Sequence, residues 1–140
     1  MTTALDTNVL IGLWLPHHPF NQKAEAALEA AAAIGALVIA PPVYAELVAA
    51  PGKTRLWVDE FLDDVGIEVD WQISEATWLE AGESFAAYAQ RRRKQNTQTP
   101  RRILADFVIG AHALHQADRL LTTDAWYKTI FKGLKLEVVR

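Results

Sequence analysis

Residues 2–16, TTALDTNVLIGLWLP, decide the fold. Thr2 to Leu5 has the make-up of a short buried strand, and Thr7 to Leu15 continues as a helix that stops before Pro16. Asp6 therefore stands at a strand-to-helix junction. The same pattern recurs near the other end, where Arg119-Leu-Leu-Thr122 is a strand and a short helix is expected from Asp124 to Phe131.

Between these ends, strands and helices alternate. Asn21 is placed to cap a helix of strong formers that Gly35 stops, and Leu37-Val-Ile-Ala40 is a buried strand. Pro42 suits the first turn of a helix carrying Glu46. Lys53 to Val65 is helical by period, and Gly66 leads into a strand, Ile67 to Val69. A long helix runs from Ser74 to about Arg93, and the polar stretch KQNTQTP, residues 94–100, follows as the one loop expected to be mobile. Ile103 to Gln116 has helical spacing at Leu104, Phe107, Val108, Ala111 and Leu114, and Leu134 to Val139 forms a last strand. Five strands alternating with helices predict an α/β fold, a parallel sheet covered by helices on both faces. In such sheets ligands collect at the carboxyl ends of the strands, where both Asp6 and Asp124 are expected.

Composition bounds the function. A chain of 140 residues with 51% hydrophobic content suits one domain, 1–140, with a core that needs no staples. The absence of cysteine excludes disulfides, thiol catalysis and cysteine-based metal sites, and it suits a reducing, cytoplasmic setting. The first residues, MTTALD, show neither a secretory signal nor a transit peptide. The longest apolar run, Ala30 to Val43, is broken by Pro41 and Pro42 and falls short of the ~18 residues a spanning helix needs. The net charge of −3 hides an asymmetry: Arg91, Arg92, Arg93, Lys94, Arg101 and Arg102 supply six of the 14 basic residues, with no acid among them. Such a segment can hold phosphates beside a carboxylate site that repels them, although a solvated helix end and loop would have the same composition.

Four acids carry the chemistry: Asp6 in ALDTNVLI, Glu46 in VYAELVAA, Asp106 in LADFVIGAHAL and Asp124 in LLTTDAWY. Taken singly, Asp6 and Asp124 read as helix caps and Asp106 as a complement to a helix dipole. Glu46 is different, a lone acid among apolar neighbours that needs a partner. Taken together, the four can meet at one sheet edge, where carboxylates repel unless divalent cations hold them. Hard carboxylate oxygens with no thiolate or imidazole point to Mg2+ or Mn2+ rather than zinc. His112 and His115 have an i, i+3 spacing that could bind zinc, but no third ligand accompanies them. His17 and His18 lie in a Pro-flanked loop and are expected to be solvated. Gly52-Lys-Thr54 lacks the upstream glycine of a phosphate loop, and Ser74 and Ser84 have no base in context. The five tryptophans read as core or interface aromatics, with Trp14 and Trp126 each near a motif acid.

The segments DTNVLI (6–11), YAEL (44–47), ADFVIGAHAL (105–114) and LLTTD (120–124), in that order and at these separations, resemble the PIN-domain ribonucleases, most closely the VapC-type toxins of toxin–antitoxin pairs. The resemblance covers nearly the whole chain. It implies a PIN-like α/β/α sandwich with a central parallel sheet of about five strands, and Mg2+- or Mn2+-dependent endonucleolytic cleavage of RNA. It marks Asp6, Glu46, Asp106 and Asp124 as the acidic metal site, with supporting roles for Thr7, Asn8 and Thr122. It further implies a homodimer and a cognate antitoxin whose tail fills the acidic pocket. An RNA-binding role for the basic segment is inferred from charge alone. The rival readings are a catalytically silent PIN-like module that binds RNA or protein, and a DNA-directed nuclease sharing the same acids.

Overall fold

A computed structural model of the chain describes residues 1–95 and 101–140. Five parallel strands form one sheet in the order β3-β2-β1-β4-β5: β1 Thr3–Leu5, β2 Leu37–Ile39, β3 Ile67–Val69, β4 Arg119–Thr122 and β5 Leu136–Val138. Between them, among the described residues, lie seven helices: α1 Thr7–Trp14, α2 Asn21–Ile34, α3 Pro41–Val48, α4 Arg55–Val65, α5 Glu75–Lys94, α6 Leu104–Gln116 and α7 Tyr127–Ile130. Among the described residues no helix is long and apolar enough to cross a membrane.

The sheet order has a functional consequence. From β1 the chain moves outward on one side to β2 and β3, returns across the sheet to β4, and then moves outward on the other side to β5. Right-handed crossovers therefore put the connections β1–β2 and β2–β3 on one face, and those from β3 to β4 and β5 on the other. The connections leave β1 and β4 in opposite directions, which opens a crevice at their carboxyl ends. Ala4 pairs with Leu120 and Leu5 with Leu121, so Asp6 and Thr122 emerge side by side.

Burial follows strand position. All of β1 is buried, as are Leu120, Leu121 and Thr122 of β4, because both faces of a central parallel strand are covered. The flanking strands β3 and β5 expose Glu68 and Glu137, the charges that discourage further pairing at an edge. Phe107 in α6, Tyr127 in α7 and Phe131 just beyond it join this core.

Several helix ends match the residues that signalled them. Gly66 ends α4 at φ 82°, and its N–H reaches the carbonyls of Leu62 and Asp63. Ser74 Oγ accepts the Thr77 N–H at the start of α5.

Three expectations are corrected. Asn21 does not cap its own helix; its Nδ2 donates to the carbonyls of Gly12, Leu13 and Leu15, satisfying acceptors left over where α1 ends. The helix expected from Lys53 begins at Arg55, because Thr54 Oγ1 accepts the Trp57 N–H and makes Thr54 the cap. The helix expected from Asp124 to Phe131 shrinks to Tyr127–Ile130, since Asp124 Oδ1 takes the Trp126 N–H in a local turn. The first part of the expected mobile loop belongs to the end of α5 and its cap, and residues 96–100 lie outside the described residues.

Candidate functional site

Asp6 is the centre of the constellation. Its N–H continues the ladder to the Leu121 carbonyl at 3.0 Å, and its side chain turns back to cap α1, with Oδ1 accepting the Thr7 N–H at 2.9 Å. Oδ2 accepts from Thr122 Oγ1 at 2.7 Å and Asn8 Nδ2 at 3.2 Å. The residue is 5% exposed. Burial pushes its carboxyl up to about 6, against the opposing pull of the Thr122, Thr7 and Tyr127 hydrogen bonds, and Asp106 adds like-charge repulsion. The Tyr127 hydroxyl behind it is held far above the usual phenol range, by burial first and then by the charges of Asp6 and Asp106.

The other acids arrive from separate elements. Glu46, on α3, accepts the Thr7 hydroxyl at 2.7 Å, so Thr7 ties the first motif to the second. Asp106, in the first turn of α6, accepts the Ile103 N–H at 3.1 Å. Asp124 follows β4; its N–H donates to Thr122 Oγ1 at 3.0 Å, and its Oδ2 accepts from Arg102 Nη1 at 2.6 Å. Asn8 closes the ring by accepting the Thr123 N–H at 3.2 Å. Asp6, Glu46, Asp106 and Asp124 all line one depression of ≈ 380 Å³, together with Thr7 and Asn8.

The donor chemistry fits a hard divalent cation: four carboxylates from four elements, with no sulfur. Asp6 also holds its proton more tightly than an ordinary carboxyl, chiefly because it is desolvated and to a lesser degree because Asp106 is near. As placed, no three Asp, Glu or His side chains among the described residues converge closely enough to hold an ion. Glu46 is turned to Thr7 and Asp124 to Arg102.

The basic segment divides. Arg91, Arg92, Arg101 and Arg102 line a cleft of ≈ 830 Å³ with Tyr88 and Trp126, and the cleft shares Arg102 and Asp106 with the acidic depression. Arg93 borders a smaller cavity that shares Tyr88, Arg92, Arg101 and Arg102 with it, and Lys94 stands exposed in the last turn of α5. His112 and His115 do not form a site together: His112 Nε2 lies 3.0 Å from Asp70, and His115 Nε2 lies 3.3 Å from Glu80. His18, expected in solvent, borders the acidic depression and takes the Phe20 N–H on Nδ1. Tyr127 and the pairing of Arg102 with Asp124 were not foreseen. An aromatic residue three positions after a motif acid is the one sequence signal that pointed to Tyr127.

The PIN domain family profile matches residues 3–130. Among solved structures, the chain is similar to VapBC2 from Rickettsia felis bound to a DNA fragment from their promoter, with a TM-score of 0.70 and 23% identity over 100% of both chains. It is also similar to VapBC-1 from nontypeable Haemophilus influenzae, with a TM-score of 0.66 and 20% identity over 99% of this chain and 98% of that one. A toxin–antitoxin complex from Klebsiella pneumoniae gives a TM-score of 0.66 and 19% identity over the same shares of the two chains. No curated protein shows significant sequence similarity. At these identities the structural likeness speaks for the fold, and the profile match over nearly the whole chain speaks for the lineage. The chain belongs to the PIN domain family.

Proposed function

We propose that this protein is a divalent-cation-dependent endoribonuclease that acts as the toxin of a toxin–antitoxin pair. The observation that carries the reading is the meeting of Asp6, Glu46, Asp106 and Asp124 at one depression, at the crevice between β1 and β4. Asp6 and Asp106 would be direct ligands to Mg2+ or Mn2+, Asp124 would hold a second ion or orient water, and Glu46 would serve as ligand or general base. A bound ion supplies acidity to water and offsets the charge that builds on the phosphate and the leaving oxygen.

The chain's own residues do the positioning. Thr122, Asn8 and the Thr7 N–H fix both oxygens of Asp6, so its orientation does not depend on the ion. The Thr7 hydroxyl fixes Glu46 in the same way. Tyr127, 2% exposed and kept protonated, closes the floor against water. The cleft beside the acids supplies Arg91, Arg92 and Arg101 to RNA phosphates, which compensates the negative potential around the acids. An antitoxin tail in the acidic depression, and a homodimer, complete the proposal. The toxin–antitoxin relatives of the same fold support the partner.

The test is cleavage of a mixture of single-stranded and structured RNA by the purified chain in Mg2+ or Mn2+, against EDTA and against Asp106→Asn. Cutting should require the ion and fall at least about 100-fold in the variant. Cutting of DNA in place of RNA would make the protein a DNA-directed nuclease. Folded, ion-binding protein that cuts neither would point to a narrow RNA target or a bound antitoxin, and folded protein with no response to the ion would be a silent RNA- or protein-binding module.

A further inference from the structure

Arg102 stands where two surfaces of opposite charge meet, bordering both the acidic depression and the basic cleft. Its Nη1 donates to Asp124 Oδ2 at 2.6 Å, and its guanidinium carbon lies 4.3 Å from the centre of the Trp126 ring. Its backbone is anchored independently, the N–H donating to Tyr88 Oη at 2.8 Å. Asp124 Oδ1 already accepts the Trp126 N–H at 3.0 Å, so both oxygens of this acid are engaged. A cation entering at Asp124 Oδ2 meets Arg102 there.

Physical chemistry makes the contact displaceable. Both side chains are 31% exposed, and an ion pair so open to water is weak. A guanidinium does not give up its proton, so it leaves the acid by swinging rather than by titrating. Its long side chain borders the adjoining cleft, where a phosphate held between Arg91, Arg92 and Arg101 would offer it an alternative anion. Trp126 offers its face to the guanidinium at the junction.

We propose that Arg102 serves two anions in turn: it covers Asp124 before a divalent ion is bound, and it passes to a substrate phosphate in the adjoining cleft once an ion takes Asp124. The inference rests on the nuclease reading above and adds to it a positioning residue that couples ion entry to substrate capture. A consequence is that Arg102 opposes the ion in the free protein and favours RNA in the loaded one.

The first measurement is calorimetric titration of Mg2+ and Mn2+ into the wild-type chain, Arg102→Gln, Arg102→Lys and Arg91→Gln. Arg102→Gln should bind the ions about three- to fivefold more tightly, the scale on which a partly exposed ion pair competes. Arg102→Lys should lie between Arg102→Gln and wild type, and Arg91→Gln, which changes the cleft's charge without touching Asp124, should match wild type. Mg2+ titration should also change tryptophan emission in the wild type, and this change should vanish in Arg102→Gln and in Trp126→Phe. On the substrate side, Arg102→Gln should raise KM for RNA at saturating ion with a much smaller change in kcat. Equal ion affinity in wild type and Arg102→Gln, or an equal gain in Arg91→Gln, overturns the proposal and leaves the nuclease reading standing. An unchanged KM overturns its substrate half. Failure of every variant and the wild type to bind either ion overturns both.

Discussion

Asp6 is surrounded by hydrogen-bond donors and still prefers its proton, because desolvation outweighs them. Its carboxyl is raised from 3.8 to about 6, so the folded chain binds that proton more tightly than the unfolded chain does. The stabilising contribution is therefore complete below about pH 4 and is lost as pH rises through about 6. With ions chelated, Asp6→Asn should be more stable than wild type at pH 8, by about 1–3 kcal/mol in urea unfolding, and should gain nothing at pH 4. An equal effect at both pH values would show that packing, not charge, governs the position. Thr122 holds two acids at once, donating to Asp6 and accepting the Asp124 N–H. Thr122→Val should cost about 1–3 kcal/mol and weaken ion binding, and a variant with wild-type stability would refute its bridging role. Of these residues the acids were legible from their motif contexts, and Thr7, Asn8 and Thr122 only through family resemblance. Arg102 was legible as a charge but not as the partner of Asp124, because a contact across 22 residues depends on how two loops meet.

At the scale of elements, α6 carries Asp106 and must lie close to the segment that follows Asp124. Gly110 makes that approach possible: a Cβ there would come within 2.2 Å of the Phe131 ring, whose side chain is buried. Gly110→Ala should destabilise the protein by about 1–3 kcal/mol despite alanine's better helix propensity, and it should lower activity by displacing Asp106. An alanine variant as stable as wild type, measured by urea unfolding, would mean that Phe131 moves aside freely. The helices were readable where a local signal ends them, as Gly66 does for α4 and Ser74 begins α5. The errors came where one side chain had a choice of partners. Asn21 serves the end of α1 rather than the start of α2, and the Asp124 carboxylate holds the Trp126 amide in a turn. Both are local hydrogen bonds that compete with helix start signals, and periodicity does not rank them.

For the whole molecule, alternation of strands and helices was enough to give a parallel sheet, but strand order was not in the pattern. The placement of β4 beside β1 brings the last acid to the first, from opposite ends of the sequence. That pairing, stabilised by burial of Leu5, Leu120 and Leu121, makes the site depend on the folded core. Ion binding should therefore report back on folding: at ion concentrations near 100 times Kd the protein should gain about 2.7 kcal/mol, read as a rise in Tm that Asp106→Asn removes. Whether the four acids form one cation site is tested by locating Mn2+ by anomalous scattering in a crystal of this chain. A peak is expected in the depression bounded by Asp6, Glu46, Asp106 and Asp124, with Arg102 withdrawn from Asp124. Absence of a peak there at saturating Mn2+, with Asp124 still on Arg102, would contradict a shared cation site.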